Sequence, residues 1–318
     1  MMAACLGGVN MAHKVPVGGT IAHAYGFAFS NIFNNLGAIW IPAVILYAIM
    51  FVFRASYANT LLSMSTNPQA ALAGLQYLFV GMIVFGVLIV AQIAGLTKEA
   101  LGLRTGNAWL QFPFGAATWR LLGAYLLYLI VMIVLYIGVF VVSLLFAGIF
   151  AGVAGAGAGG GARGAIAGLG IAAVVLMLFV FCAFVYIATR LSFLLAPVVV
   201  AEHKISLIRS WELTKGNFWR IFVVFLAMII PLFVLEFVVL WAVYGSSLIP
   251  PMHPGVTPEE LNAFSQHQRQ VIANSQNWWF ITYPLGLLVT VIFYGIFTGA
   301  SAFAYRALTA SDSSAEVF

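Results

Sequence analysis

Apolar positions in this chain come in long unbroken blocks separated by short polar stretches. A helix needs about 20 apolar residues to cross the hydrocarbon core of a bilayer. Six windows meet that length, at roughly 33–53, 73–96, 120–150, 166–191, 219–244 and 278–304. The pattern predicts an all-α polytopic membrane bundle of six transmembrane helices, joined by amphipathic interfacial helices, in a single integral membrane domain. The third window exceeds one crossing, so it either tilts or continues beyond the bilayer.

Polar punctuation then sets the orientation. Lys14, Lys98, Arg104, Arg120, Arg190, Lys204, Arg209, Lys215, Arg220 and Arg306 fall on one side of the six windows, and only Arg54, Arg163 and Arg269 on the other. Basic residues are retained on the cytoplasmic side, so both termini are expected there, with 1–32 and 305–318 as cytoplasmic segments. The expected location is a membrane crossed several times.

Composition narrows the class further. Hydrophobic side chains make up 64% of 318 residues and charged ones 7%. A soluble domain is about a quarter charged, and a chain this poor in charge could not cover a water-facing surface. Disorder is excluded as well, because it requires low hydrophobicity. The net charge of +5 follows the ends of the apolar windows, which points to anionic lipid rather than nucleic acid as the partner. Cys5 and Cys182 lie in contexts that do not suggest a disulfide.

A faint threefold repeat precedes the odd-numbered spans. The stretch Ser210–Trp219 leads into the fifth window, and 24–33 leads into the first. A shift of 186 aligns Tyr25 with Trp211, Phe27 with Leu213, Asn31 with Asn217 and Phe33 with Trp219. Trp119-Arg120-Leu121 repeats Trp219-Arg220-Ile221 at the third. The expected unit is a surface helix followed by a transmembrane hairpin. In the last copy, Ile205, Ile208 and Trp211 or Glu212 fall at helical spacing beside Leu213, with Lys204, Arg209 and Lys215 around the remainder. Such a helix suits the headgroup plane. Lys204, Arg209, Lys215, Arg220, Trp211 and Trp219 are therefore the candidate lipid-headgroup contacts.

The segment Ile208–Arg220, following Leu194-Leu195-Ala196-Pro197-Val198-Val199, resembles bacterial inner-membrane proteins related to the membrane domain of some glycerophosphoryl diester phosphodiesterases, and YciC-type proteins. The resemblance implies a membrane-embedded module. It transfers no catalytic residue, because the phosphodiesterase barrel and its metal-site motifs have no counterpart in this chain.

Candidate chemistry inside the spans is sparse. Glu236 stands in the fifth window, five residues after Pro231. Proline there removes a donor and leaves a carbonyl without its helix partner. A carboxylate at this depth usually faces a bundle interior or a wet cavity. Arg54 is a partner within reach, and Arg163 and Arg269 are others. Glu236, Arg54 and Pro231 thus form the candidate intramembrane polar site: a proton or cation site, a structural pairing of Glu236 with Arg or Tyr, or a carboxylate that simply sits near the outer interface.

Glycines between 152 and 170 predict a compact turn, and no phosphate loop, since Gly-Lys-Ser/Thr is missing. Thr257-Pro258-Glu259-Glu260 predicts a helix start with a capping box. His253, His267, Glu259 and Glu260 match no zinc spacing. No nucleophile–base pattern appears, so the expectation is no enzyme and no cofactor. The favoured function is the handling of lipid or a small amphiphile, as a transporter or transport component. The alternative is a structural or regulatory subunit without a substrate, acting through a protein partner or a homo-oligomer.

Overall fold

The computed structural model describes residues 14–63, 68–104, 114–156, 162–245, 255–275 and 279–310. Among these residues all regular structure is helical. Six helices are long and apolar enough to cross a membrane. They are α2 (Ile32–Ser63), α3 (Pro68–Ala100), α4 (Ala116–Ala156), α5 (Ala162–Ser192), α8 (Phe218–Tyr244) and α10 (Trp279–Thr309). The other four are α1 (Val17–Ser30), α6 (Leu195–Glu202), α7 (Leu207–Leu213) and α9 (Pro258–Ser275).

Five of the six predicted windows fall inside these helices and the sixth does so from Trp279 onward, its first residue lying outside the described residues; several helices outrun their windows. Helix α2 continues ten residues past the predicted end at 53, because Ala and Leu still favour helix after the apolar run stops. At 41 residues, α4 is about 60 Å long by its rise per residue. That is about twice the hydrocarbon thickness. The span predicted to overrun a single crossing does so.

Contacts divide the chain into two compact units that interleave in sequence: Met1–Val15, Ala116–Phe222 and Ala304–Phe318 in one, Pro16–Gly115 and Val223–Phe303 in the other.

In the second unit α2 packs against α3, and Ala38, Ile39, Leu96 and Val291 form a buried cluster flanked by Leu36, Leu287 and Tyr294. Helix α1 lies against α10 through glycines: a Cβ at Gly299 would come within 3.0 Å of Phe27, and one at Gly295 within 3.3 Å of Ala28. Small residues four apart permit this approach. Thr20, Ala24, Phe27 and Ala28 supply the buried stripe of α1. The helix ends at Asn31, and Asn35 donates from Nδ2 to the Phe27 carbonyl at 3.1 Å.

The proline in α8 has its own solution in this unit. Pro231 cannot donate to the carbonyl of Ala227, four residues earlier. Tyr25 of α1 does so instead, its hydroxyl donating to that carbonyl at 3.0 Å. Burial lifts the Tyr25 phenol above its ordinary value.

Helix α9 begins as its sequence dictates. Thr257 N–H donates to Glu260 Oε2 at 3.0 Å, and Glu260 N–H donates to Thr257 Oγ1 at 3.2 Å. This is the reciprocal capping box, with Pro258 in the first turn.

At two of the three expected places a shorter helix precedes a long apolar one, α1 before α2 and α7 before α8. Phe33 and Trp219, aligned in the sequence, are each 72% exposed. The segment before the third copy covers 105–113, outside the described residues, as do His253 and the centre of the glycine-rich turn at 157–161.

Candidate functional site

The first unit brings the recognisable Ser210–Arg220 segment against the end of α5. A helix leaves its last carbonyls without partners. In α5, Phe193 N–H returns to the Thr189 carbonyl at 3.2 Å. Ser210 then places its hydroxyl 3.2 Å from the Arg190 carbonyl and 3.0 Å from that of Leu191. The chain turns at Phe193 and Leu194, and the apolar α6 follows with six of its eight residues buried. His203, in the left-handed region at φ 57°, ends that helix.

Arg190 lies in the last turn of α5 and is only 5% exposed. Its Nη2 donates to the Trp211 carbonyl at 2.6 Å, its Nη1 to the Tyr186 hydroxyl at 2.8 Å, and its Nε to Thr214 Oγ1 at 3.2 Å. The guanidinium carbon lies 3.7 Å from the Trp211 ring centroid and 5.4 Å from that of Tyr186. Among the described residues no carboxylate pairs with it. Neutral oxygens, π faces and the negative end of the α5 dipole hold the charge instead. Phe218 extends the aromatic wall, 4.5 Å from Tyr186.

This socket explains the order of residues in the segment. Leu207, Ser210 and Thr214 point inward on one stripe of α7 and its end. Ser206 caps α7 by accepting from Arg209 N–H at 3.1 Å. Gly216, at φ 77°, makes the turn into α8, a conformation that favours glycine. Asn217 Oδ1 then accepts the Val15 N–H at 3.0 Å, while Arg220 Nη1 donates to the Val15 carbonyl at 3.1 Å. Residue 15 is held by both its backbone groups.

The inward stripe of α7 joins Leu207 to two hydroxyl residues that the sequence pattern did not single out. Ile205 and Ile208 are 49% and 71% exposed, while Ser210 and Thr214 are buried. Capping α5 and holding Arg190 require hydroxyls, so the polar residues turn inward and the isoleucines outward.

The candidate headgroup contacts therefore separate. Lys204 and Lys215, just outside the two ends of α7, are exposed, as is Trp219. Arg209 is partly exposed and pairs with Glu202 at 3.2 Å. Glu202 also accepts from the Tyr305 hydroxyl at 3.2 Å, which ties α6 and α7 to the end of α10. Arg220 is committed to Val15, and Trp211 is half-buried beneath Arg190.

The intramembrane candidates are not brought together by any described contact. Glu236 is exposed on α8 rather than enclosed, and Pro231 is exposed as well. The side chain of Arg54 lies outside the described residues, so its pairing with Glu236 does too. Among the described residues, no three His, Cys, Asp or Glu side chains converge as metal ligands would.

Sequence reading counted Arg190 only as a topology signal and gave Tyr25 no role beyond the repeat. A basic residue seven positions before Pro197, followed by Ser and Thr four residues apart, does not encode their meeting. Comparison of the chain with family models, curated proteins and solved structures found no match.

Proposed function

We propose that this chain is a non-enzymatic protein of the bacterial inner membrane that handles lipid or a small amphiphile at its cytoplasmic surface, as a transporter or transport component. One observation carries the reading: exposed Lys204 and Lys215 flank a short helix whose exposed face carries Ile208, with exposed Trp219 following. Cations beside aliphatic and aromatic side chains match the boundary between phosphate headgroups and acyl chains. The buried attachment of α7 to Arg190 holds that surface in place, so ordering it costs little when a lipid binds.

Arg209 contributes less than the lysines, because Glu202 already neutralises it. The surface is thus a weak anion gatherer rather than a tight phosphate clamp. It favours headgroups over a soluble anion because Ile208 and Trp219 add affinity only for a ligand with an apolar part.

Native mass spectrometry of the gently solubilised protein, with lipid extraction, tests the proposal. Retained anionic lipid should fall severalfold when Lys204, Arg209 and Lys215 are all replaced by Gln. Unchanged retention would remove the proposed surface. A reproducible protein partner with only exchangeable bulk lipid would favour a structural or regulatory subunit instead.

A further inference from the structure

Helix α2, like α8, carries a proline inside an apolar span. Pro42 cannot donate to the carbonyl of Ala38, four residues earlier. No described side chain donates to that carbonyl, whereas Tyr25 serves its counterpart at Ala227. The break lies on the buried side of α2, where Ala38, Ile39, Pro42 and Ala43 are all buried, so bulk water does not reach it.

Helix α3 runs antiparallel along this side. Arg104, just past its end, donates to the Asn34 carbonyl at 3.1 Å, and Leu96 packs with Ala38 and Ile39. One helical turn further, the same register sets Gln92 opposite Pro42. Gln92 is 1% exposed, and among the described residues neither its Nε2 nor its Oε1 has a hydrogen-bond partner. Residues 34–49 and 79–104 around it are all described. It stands eight residues inside the nearer end of the span Phe79–Ala100, about 12 Å along the helix. An amide at that depth, and a freed carbonyl beside it, are both destabilising unless something pairs them.

We infer that one water molecule is bound between α2 and α3, held by Gln92 and the Ala38 carbonyl. Its oxygen accepts from Gln92 Nε2–H, one of its hydrogens goes to Gln92 Oε1 and the other to the Ala38 carbonyl. A buried water typically makes about three hydrogen bonds, and these three satisfy all three orphaned atoms. A metal cation does not fit the set, because Nε2 is a donor. Ala43 and Ala91, the buried neighbours of Pro42 and Gln92, keep the side chains there short. Ordered water is one means by which a membrane helix tolerates an internal proline. The site stands apart from the proposed lipid surface and does not depend on it.

Nuclear magnetic resonance of the full chain in micelles, isotope-labelled at glutamine side-chain nitrogen, reads the site directly. The Gln92 amide, assigned by its loss in Gln92→Leu, should exchange slowly with deuterium and, in ordinary water, show a cross-peak to a bound water. Slow exchange without that cross-peak overturns the proposal, since the amide is then dry or bonded straight to the carbonyl. Fast exchange overturns it too, since the amide is then not enclosed. A double-mutant cycle in reversible unfolding gives an independent reading. Gln92→Leu should lower the folded-to-unfolded ratio about tenfold. After Pro42→Ala, where the helix's own N–H serves Ala38, the same change should cost less than about twofold. A gain in stability from Gln92→Leu alone marks a dry, unpaired amide and defeats the inference. Equal losses in both backgrounds defeat it as well, because Gln92 then serves something other than the freed carbonyl. Gln92→Met, closer in shape, takes the place of the leucine variant if that one does not fold.

Discussion

The substitution Tyr25→Phe tests how a membrane helix tolerates its internal proline. It removes one hydroxyl and keeps the ring, so the packing of Tyr25 on Phe29, with centroids 6.4 Å apart, survives. What disappears is the donor that serves the Ala227 carbonyl at 3.0 Å. Ala227 is nine residues into α8, about 13 Å along the helix, where water is a poor substitute. A net hydrogen bond contributes about 0.5–1.5 kcal/mol, and an unpaired buried acceptor costs about 1–3. Both groups are half-buried, so the expected destabilisation is about 1–2 kcal/mol.

The decisive comparison is with Pro231→Ala. An alanine restores an N–H that reaches Ala227 within the helix, so Tyr25→Phe should then cost only a few tenths of a kcal/mol. The coupling between the two sites should be about 1 kcal/mol, beyond the additivity error of about 0.3–0.5 expected for independent sites. Reversible unfolding in mixed detergent micelles, followed by helicity, gives all four corners of the cycle. Equal cost of Tyr25→Phe in both backgrounds would refute the reasoning, since it would mean the hydroxyl serves something other than the proline's unpaired carbonyl.

Two further outcomes follow from the socket and the capping box. Thr214→Val should destabilise the chain by about 1–3 kcal/mol, because it leaves the buried Arg190 Nε–H without an acceptor. In an Arg190→Met background the same change should cost clearly less, and additive losses in the unfolding assay would count against the socket. Thr257→Ala should speed amide exchange in the first turn of α9 about fivefold, corresponding to about 1 kcal/mol of capping. Exchange unchanged there would mean that the box does not hold the helix end.

The sequence alone determined the six apolar helices, because a run of about 20 apolar residues has few alternatives once the backbone must satisfy its own hydrogen bonds. It also determined the α9 start, where Thr257, Pro258 and Glu260 act on atoms three residues away. These are local relations, and local relations are written in order along the chain. Tertiary structure decided the rest. Arg190 meets Thr214 across 24 residues, Tyr25 meets Ala227 across 202, and Asn217 meets Val15 across the same separation. The apolar pattern of α7 did not mark Ser210 and Thr214 as its inward residues. Their burial follows from the carbonyls and guanidinium waiting at the end of α5, a demand that no periodicity of α7 itself records. Glu236 is the converse case: its position in a span was plain from the sequence, and among the described residues it is exposed on α8.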